Sequence, residues 1–317
     1  MRTLLLFIHL FSAGLFYAQQ QAYSGKVKLA IETYAFLKGQ NAALKKIAVQ
    51  FPDLKKEVAA VERNAQAVFG RAERNIEIYL QQELSGPRFS SLEKQIDSMA
   101  AGQLKNPIEK KEYAASFLEQ AKDKIGFSSA AAVPKGVMCF AYHDAPHEEV
   151  TDGHTVSFTT EDHPKAQETV LTFPIPKSWK AAEAEMPGTV QEFTSCDGNG
   201  TEKIIVAIHK LPAENKNLLL NEKSVSEMIP PQSRLIRTEA VKIDGMAGVM
   251  AEIEEIVHTP SAKMKVRMLQ FMCTGRQKLY CLQGSIGPAA LDHNLDTEIK
   301  KYEPLFRIVA QGTEIEN

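Results

Sequence analysis

Apolar side chains recur every three or four positions between residues 24 and 126, and every second position from Val137 onward. The first spacing marks one face of a helix and the second one face of a strand. Leu54, Val58, Val61, Ala65, Val68, Ala72, Ile76 and Tyr79 form a single seam on a long helix. It begins after Phe51-Pro52, with Asp53 placed to cap it. An earlier helix carries Leu29, Phe36, Leu37, Leu44 and Ile47. Gly86-Pro87 breaks the chain, and a third helix is expected over residues 91–104. Asn106-Pro107 opens a fourth, with Tyr113, Phe117, Leu118 and Ala121 turned inward. Breaks this short favour antiparallel neighbours, so residues 19–127 are expected to form a three- or four-helix bundle.

Residues 128–136, rich in Ser, Ala, Pro and Gly, read as a linker between the two periodicities. Strands are expected at 155–159, 170–173, 190–195 and 203–211, the last two joined by Asp197-Gly198-Asn199-Gly200. A helix over 215–228 stops at Pro230-Pro231. Four more strands follow, at 235–243, 248–257, 264–273 and 279–285, with Asp244-Gly245 as the first turn. A helix from Ala289 to about Phe306 closes the domain, carrying Leu291, Leu295, Ile299, Tyr302 and Phe306 on one side. Consecutive hairpins make an antiparallel sheet, and the inserted helices must cover its faces. The fold class is therefore α+β, with the sheet domain over 137–317.

The first eighteen residues set the compartment. Arg2 precedes an apolar run from Leu4 to Leu15 that ends at Phe16-Tyr17-Ala18. This is the layout of a secretory signal peptide cut near Ala18, and the run is short of the roughly 20 residues a membrane helix needs. A periplasmic or secreted protein with no transmembrane segment in its mature chain is expected. The net charge of −2 argues against a nucleic-acid partner. All four cysteines, Cys139, Cys196, Cys273 and Cys281, lie in the second half. Cys273 and Cys281 flank a hairpin turn, and a loop of three or five residues would set them opposite each other as a disulfide. Left unpaired, they would act as small buried apolar residues.

Several anchors of the second half occur in a telling order. Phe173-Pro174-Ile175-Pro176-Lys177-Ser178-Trp179 is followed by a hairpin, Leu211-Pro212 and a helix. Lys242-Ile243-Asp244-Gly245-Met246-Ala247-Gly248 then turns between long strands, Phe271 precedes Tyr280-Cys281-Leu282, and Pro304-Leu305-Phe306 ends the last helix. Residues 150–312 on this pattern resemble the PsbP-like α/β/α sandwich, a group that includes DcrB-like bacterial envelope proteins. The resemblance implies a docking surface rather than a reaction centre, and it leaves the helical bundle without a counterpart.

Candidate chemistry is sparse. There is no Gly-x-Ser-x-Gly elbow and no phosphate-cradling loop. Asp197-Gly198-Asn199-Gly200 begins like a calcium loop, but Ile208 stands where the closing carboxylate belongs. His143, His147, His154 and His163 lie among Asp144, Glu148, Glu149, Asp152 and Asp162. Imidazoles with carboxylates suit zinc or copper, although the spacing matches no standard zinc module and the stretch reads as solvated loop. Glu254 and Glu255 point to opposite faces of one strand, and Glu252 shares the face of Glu254. Trp179 either covers the sheet end or contacts a partner.

These readings converge on an exported, non-catalytic, cofactor-free protein that binds or scaffolds another envelope or secreted protein. Two alternatives stand beside it. One is a metal- or small-ligand-binding protein, using the His143–His163 segment or a groove between sheet and helix. The other is an immunity or chaperone-like partner of a secreted toxin.

Overall fold

The computed structural model describes residues 23–125, 132–184, 188–213, 218–258 and 262–316. The expected signal peptide, residues 1–18, lies outside them. The chain divides into two compact units, Met1–Asp144 and Ala145–Asn317.

The first unit is helical. Its elements are α1 (Gly25–Gln50), α2 (Lys55–Glu83), α3 (Gly86–Gln103), α4 (Lys111–Ile125) and α5 (Ala132–Ala141). The Ser24 hydroxyl caps α1 by accepting from the Val27 N–H at 3.3 Å. Tyr34 donates to Glu77 at 2.8 Å, and Asn41, farther along α1, donates to Glu73, earlier on α2. The two helices therefore run antiparallel. Leu54, Val58 and Val61 of the expected seam pack with Leu44 and Ile47 of α1 and with Ala114, Leu118 and Ala121 of α4. Burying such side chains contributes about 1.5–3 kcal/mol each, which is what holds helices of modest intrinsic stability together.

Two expectations are corrected here. The break expected at Gly86-Pro87 falls at Leu84-Ser85, and the third helix, expected from 91, already begins at Gly86, because a proline in the first turn has no bond to lose. The expected linker, 128–136, is helical from Ala132, and α5 carries the first unit on to Asp144. Residues 128–131 lie outside the described set. Gly136 is what lets α5 press on α1: a Cβ there would lie 2.4 Å from the Thr33 hydroxyl. The Asn75 amide fixes the register by donating to the Phe140 carbonyl at 2.9 Å.

The second unit begins with a short helix, α6 (Pro146–Thr151), and its described residues then form ten strands. Strands β1 (Thr155–Thr159), β2 (Val170–Pro176) and β10 (Glu314–Glu316) make a small sheet in the order β1-β2-β10. The large sheet uses β3 (Lys180–Glu183), β4 (Thr189–Thr194), β5 (Glu202–Lys210), β6 (Arg234–Ile243), β7 (Met246–His258), β8 (Lys263–Gly275) and β9 (Lys278–Ala290). Its order is β3-β4-β5-β9-β8-β7-β6, and every neighbouring pair is antiparallel.

Helix α8 (Asp296–Gln311) and the small sheet cover one face of the large sheet. Helix α7 (Glu222–Met228) and its flanking segments cover the other. The α+β expectation, a helical N-terminal region followed by an α/β/α sandwich on an antiparallel sheet, is met. Two helix boundaries move. Residues expected at the start of the 215–228 helix are not helical at 218–221, and α7 starts where Asn221 and Ser224 form a reciprocal cap, with Ser224 N–H donating to Asn221 at 3.0 Å. The last helix begins at Asp296, because β9 runs through Ala290, and its buried side is Ile299, Tyr302, Leu305, Phe306 and Val309.

Candidate functional site

The residues singled out in the sequence disperse. Trp179 is buried with Phe173, Phe193 and the large-sheet core, so it packs and offers no surface contact. His143 lies in the helical unit, edge-on to Tyr79 at 6.1 Å and near Phe140 at 6.2 Å. His147, His154 and His163 belong to the second unit. His147 sits on α6 with a buried, unpartnered Nδ1. His154 is held low by burial and by the Lys177 charge. His163 Nδ1 accepts from the Lys165 N–H at 3.2 Å. Among the described residues, no three His, Cys, Asp or Glu side chains are placed to hold a metal ion. The segment is not a solvated loop either, since Pro146 and Glu149 are buried on α6 and β1 follows.

The expected Cys273–Cys281 disulfide is also corrected. The turn between β8 and β9 has two residues, Arg276 and Gln277, both left-handed at φ 46° and 59°. Cys273 therefore pairs with Tyr280, and Cys281 with Met272. One position of offset sends the two thiols to opposite faces. Both are free and buried. Burial pushes Cys281 up to about 12. Burial and the Asp244 charge push Cys273 equally high.

Titratable groups gather on the α8 side. The Glu149 carboxylate accepts from the Ser178 N–H and from the Ser178 hydroxyl, both at 2.7 Å. Burial raises it to about 7 against the pull of those bonds and of Lys177. Burial, then the Glu202 carboxylate, holds the Tyr302 phenol far above its ordinary value. Glu202 in turn accepts from the Ser195 hydroxyl. Glu149, Ser178, Ser195, Glu202 and Tyr302 are all at most 5% exposed. Their hydroxyls and carboxylates answer one another inside a closed core.

A second polar chain runs along the sheet edge. Arg267, itself buried, donates to Glu252 at 2.7 Å and to Glu254 at 2.8 Å. Arg237 donates to Glu252 at 2.6 Å and to Glu303 at 2.7 Å, and Arg307 closes on Glu303. Glu252 and Glu254 share a face, as the alternation requires.

An open concavity lies on the opposite face. A groove of about 370 Å³ runs between α7 with the following 229–233 segment and strands β5, β7, β8 and β9. That volume lies in the range of small-molecule pockets. Its walls are Val225, Met228 and Ile229 above, and Ile253, Met268, Met272, Leu279 and Cys281 below. Methionine fills irregular space and re-packs at little cost, which suits a surface that receives a ligand. Four polar side chains join them: His209, Ser233, Glu255 and Gln270. Gln270 donates to Gln283 at 2.9 Å. The Ser233 hydroxyl is buried and has no hydrogen-bond partner. An unpaired buried hydroxyl costs about 1–3 kcal/mol, a cost that a ligand reaching it would offset. Glu255 is half-buried and enters no ion pair among the described residues.

The sequence reading named a groove between sheet and helix but none of its residues. The signal was available in Met268-Leu269-Gln270-Phe271-Met272, which is apolar at both parities. A strand of that kind must be covered on both faces.

No family model and no curated protein matches the chain. Solved structures similar to it include cyanobacterial PsbP from Synechocystis, 19% identical over 51% of this chain and 93% of that one, with a TM-score of 0.33. Another is LpqN of Mycobacterium tuberculosis, a protein involved in cell envelope biogenesis, at 13% identity over 55% and 98%, TM-score 0.33. A Pseudomonas aeruginosa protein of unknown function is similar at 12% identity over 50% and 95%, TM-score 0.27. The expected PsbP-like resemblance is met as a likeness of fold.

Proposed function

We propose that this is an exported, non-catalytic binding protein whose second unit takes up an apolar small ligand in the groove beneath α7. The groove's composition is the observation that carries this reading. Apolar and methionine side chains make up most of its lining, while the buried titratable cluster of Glu149, Glu202 and Tyr302 lies on the other side of the sheet. The N-terminal pattern of residues 2–18 supports export. No helix among the described residues is long and apolar enough to cross a membrane. Of the alternatives drawn from the sequence, the groove favours the small-ligand one.

Titration with the fluorescent apolar probe N-phenyl-1-naphthylamine tests the reading. One probe should bind per chain, and Met228→Trp, at the half-exposed rim, should block it. Probe binding unaffected by that change would defeat the assignment. So would turnover in a hydrolase panel that a single side-chain change abolished.

A further inference from the structure

The groove's polar groups carry information about its ligand's head. They lie at one apolar concavity and comprise an imidazole, an amide, a hydroxyl and one carboxylate. The carboxylate, Glu255, is its acidic member, and no Lys or Arg lines the walls. Two other carboxylates of β7 and one of α8 show what such a partner looks like: Glu252, Glu254 and Glu303 each receive an arginine on the opposite face. Glu255 sits one residue beyond Glu254 on β7 and so faces the groove, paired across the strand with Val266 rather than with a cation. A half-buried carboxylate beside apolar walls attracts a cation more strongly than one in open water. The Ser233 hydroxyl adds an unused hydrogen-bonding group to the same lining.

Resting on the apolar-groove reading, we propose that the ligand is an amphipathic amine: an apolar body that fills the space between Met228, Met268 and Met272, and a protonated nitrogen that pairs with Glu255 and meets Ser233. A fatty-acid carboxylate would bring like charge to Glu255 and is disfavoured. A neutral alcohol would keep the apolar contact and lose the ion pair.

Isothermal titration of the full chain with octylamine, octanol and octanoate, each below its aggregation threshold, separates these cases. Octylamine should bind about tenfold tighter than octanol, as expected for one charge-assisted hydrogen bond, and octanoate should bind weakest. Glu255→Gln should bring octylamine down to the octanol affinity and leave octanol unchanged. Ser233→Ala should weaken octylamine by a smaller factor. Equal binding of amine and alcohol, or an amine affinity indifferent to Glu255→Gln, would overturn the proposal while leaving the groove a binding site. Failure of all three to bind, with the protein folded by circular dichroism, would overturn the groove reading as well.

Discussion

Strand β8 sends Leu269, Phe271 and Cys273 to one face of the large sheet and Met268, Gln270 and Met272 to the other. The inner face lies under a sixteen-residue helix and a second sheet, and its core takes in residues from α8, β2 and β10. The outer face has a seven-residue helix and a methionine-lined opening. The same strands, read at odd and even positions, thus serve a rigid core and a surface that opens. Specific packing and buried charge belong to the first, and conformational adaptability to the second.

The largest test of this contrast compares truncations on the two faces. Phe306→Ala removes a ring that lies so close to β9 that a Cβ on Gly284 would fall 2.2 Å from it. The loss should be about 3–5 kcal/mol. Met228→Ala, at the rim of the groove, should cost about 0.5 kcal/mol or less. Urea titration followed by fluorescence of Trp179, which lies in the inner core and is the chain's single tryptophan, reports this unit. Equal costs at the two sites would dissolve the distinction between the faces.

Slightly smaller is the effect of cutting the inner polar chain. Arg267→Leu takes one of two arginines from buried Glu252 and one of two from half-buried Glu254, and should cost about 3 kcal/mol. Adding Glu252→Leu should recover part of the loss, because a buried carboxylate left with Arg237 alone is gone. If the double variant were less stable than the single, the arginine's apolar stem would matter more than its charge.

Glu149 gives the inner face a pH dependence of its own. Its carboxyl is raised to about 7, so between pH 4.5 and 7 the folded chain keeps a proton that the unfolded chain has released. Stability must then fall as pH rises through that window and level off above it. A shift of this size corresponds to roughly 3 kcal/mol. Lys177, Tyr302 and the Ser178 bonds are the groups that face it. Glu149→Gln should flatten the Trp179-monitored stability profile between pH 5 and 8. A profile unchanged by that substitution would place the dependence elsewhere.

The helical seam was legible because its period is local: Leu54 to Tyr79 announce one face without help from the rest of the chain. The hairpins were legible for the same reason, through Asp244-Gly245 and alternating strands. Helix α5 was hidden by Pro134 and Gly136, which read as breakers. Yet a proline near a helix start is tolerated, and Gly136 is there for close contact with Thr33. Glu149 was read as part of a solvated loop because its partner, Ser178, is twenty-nine residues away. The groove was written in the even positions of β8, but which segment would roof it depends on where the chain crosses after Leu211. The cysteine pairing turned on a single residue of turn length, which composition does not specify.

That single residue supplies the finest probe of the two faces, one that perturbs stability not at all. Cys273 and Cys281 are both free and buried, and both thiols are pushed to about 12. Either thiol meets solvent once its face opens, so labelling by a thiol reagent reads how often each face opens. Reaching Cys281 requires α7 to lift from the groove, a local event, whereas reaching Cys273 requires the α8 side to come apart. Under native conditions without reductant, peptide mass spectrometry should find Cys281 alkylated faster by about tenfold or more, the ratio set by an opening difference of about 1.4 kcal/mol. Saturating octylamine should slow Cys281 and leave Cys273 unchanged, since only one of them borders the ligand. Equal native rates at the two thiols would mean that the outer face is as closed as the inner one, and the groove would then be a packing defect and not a door.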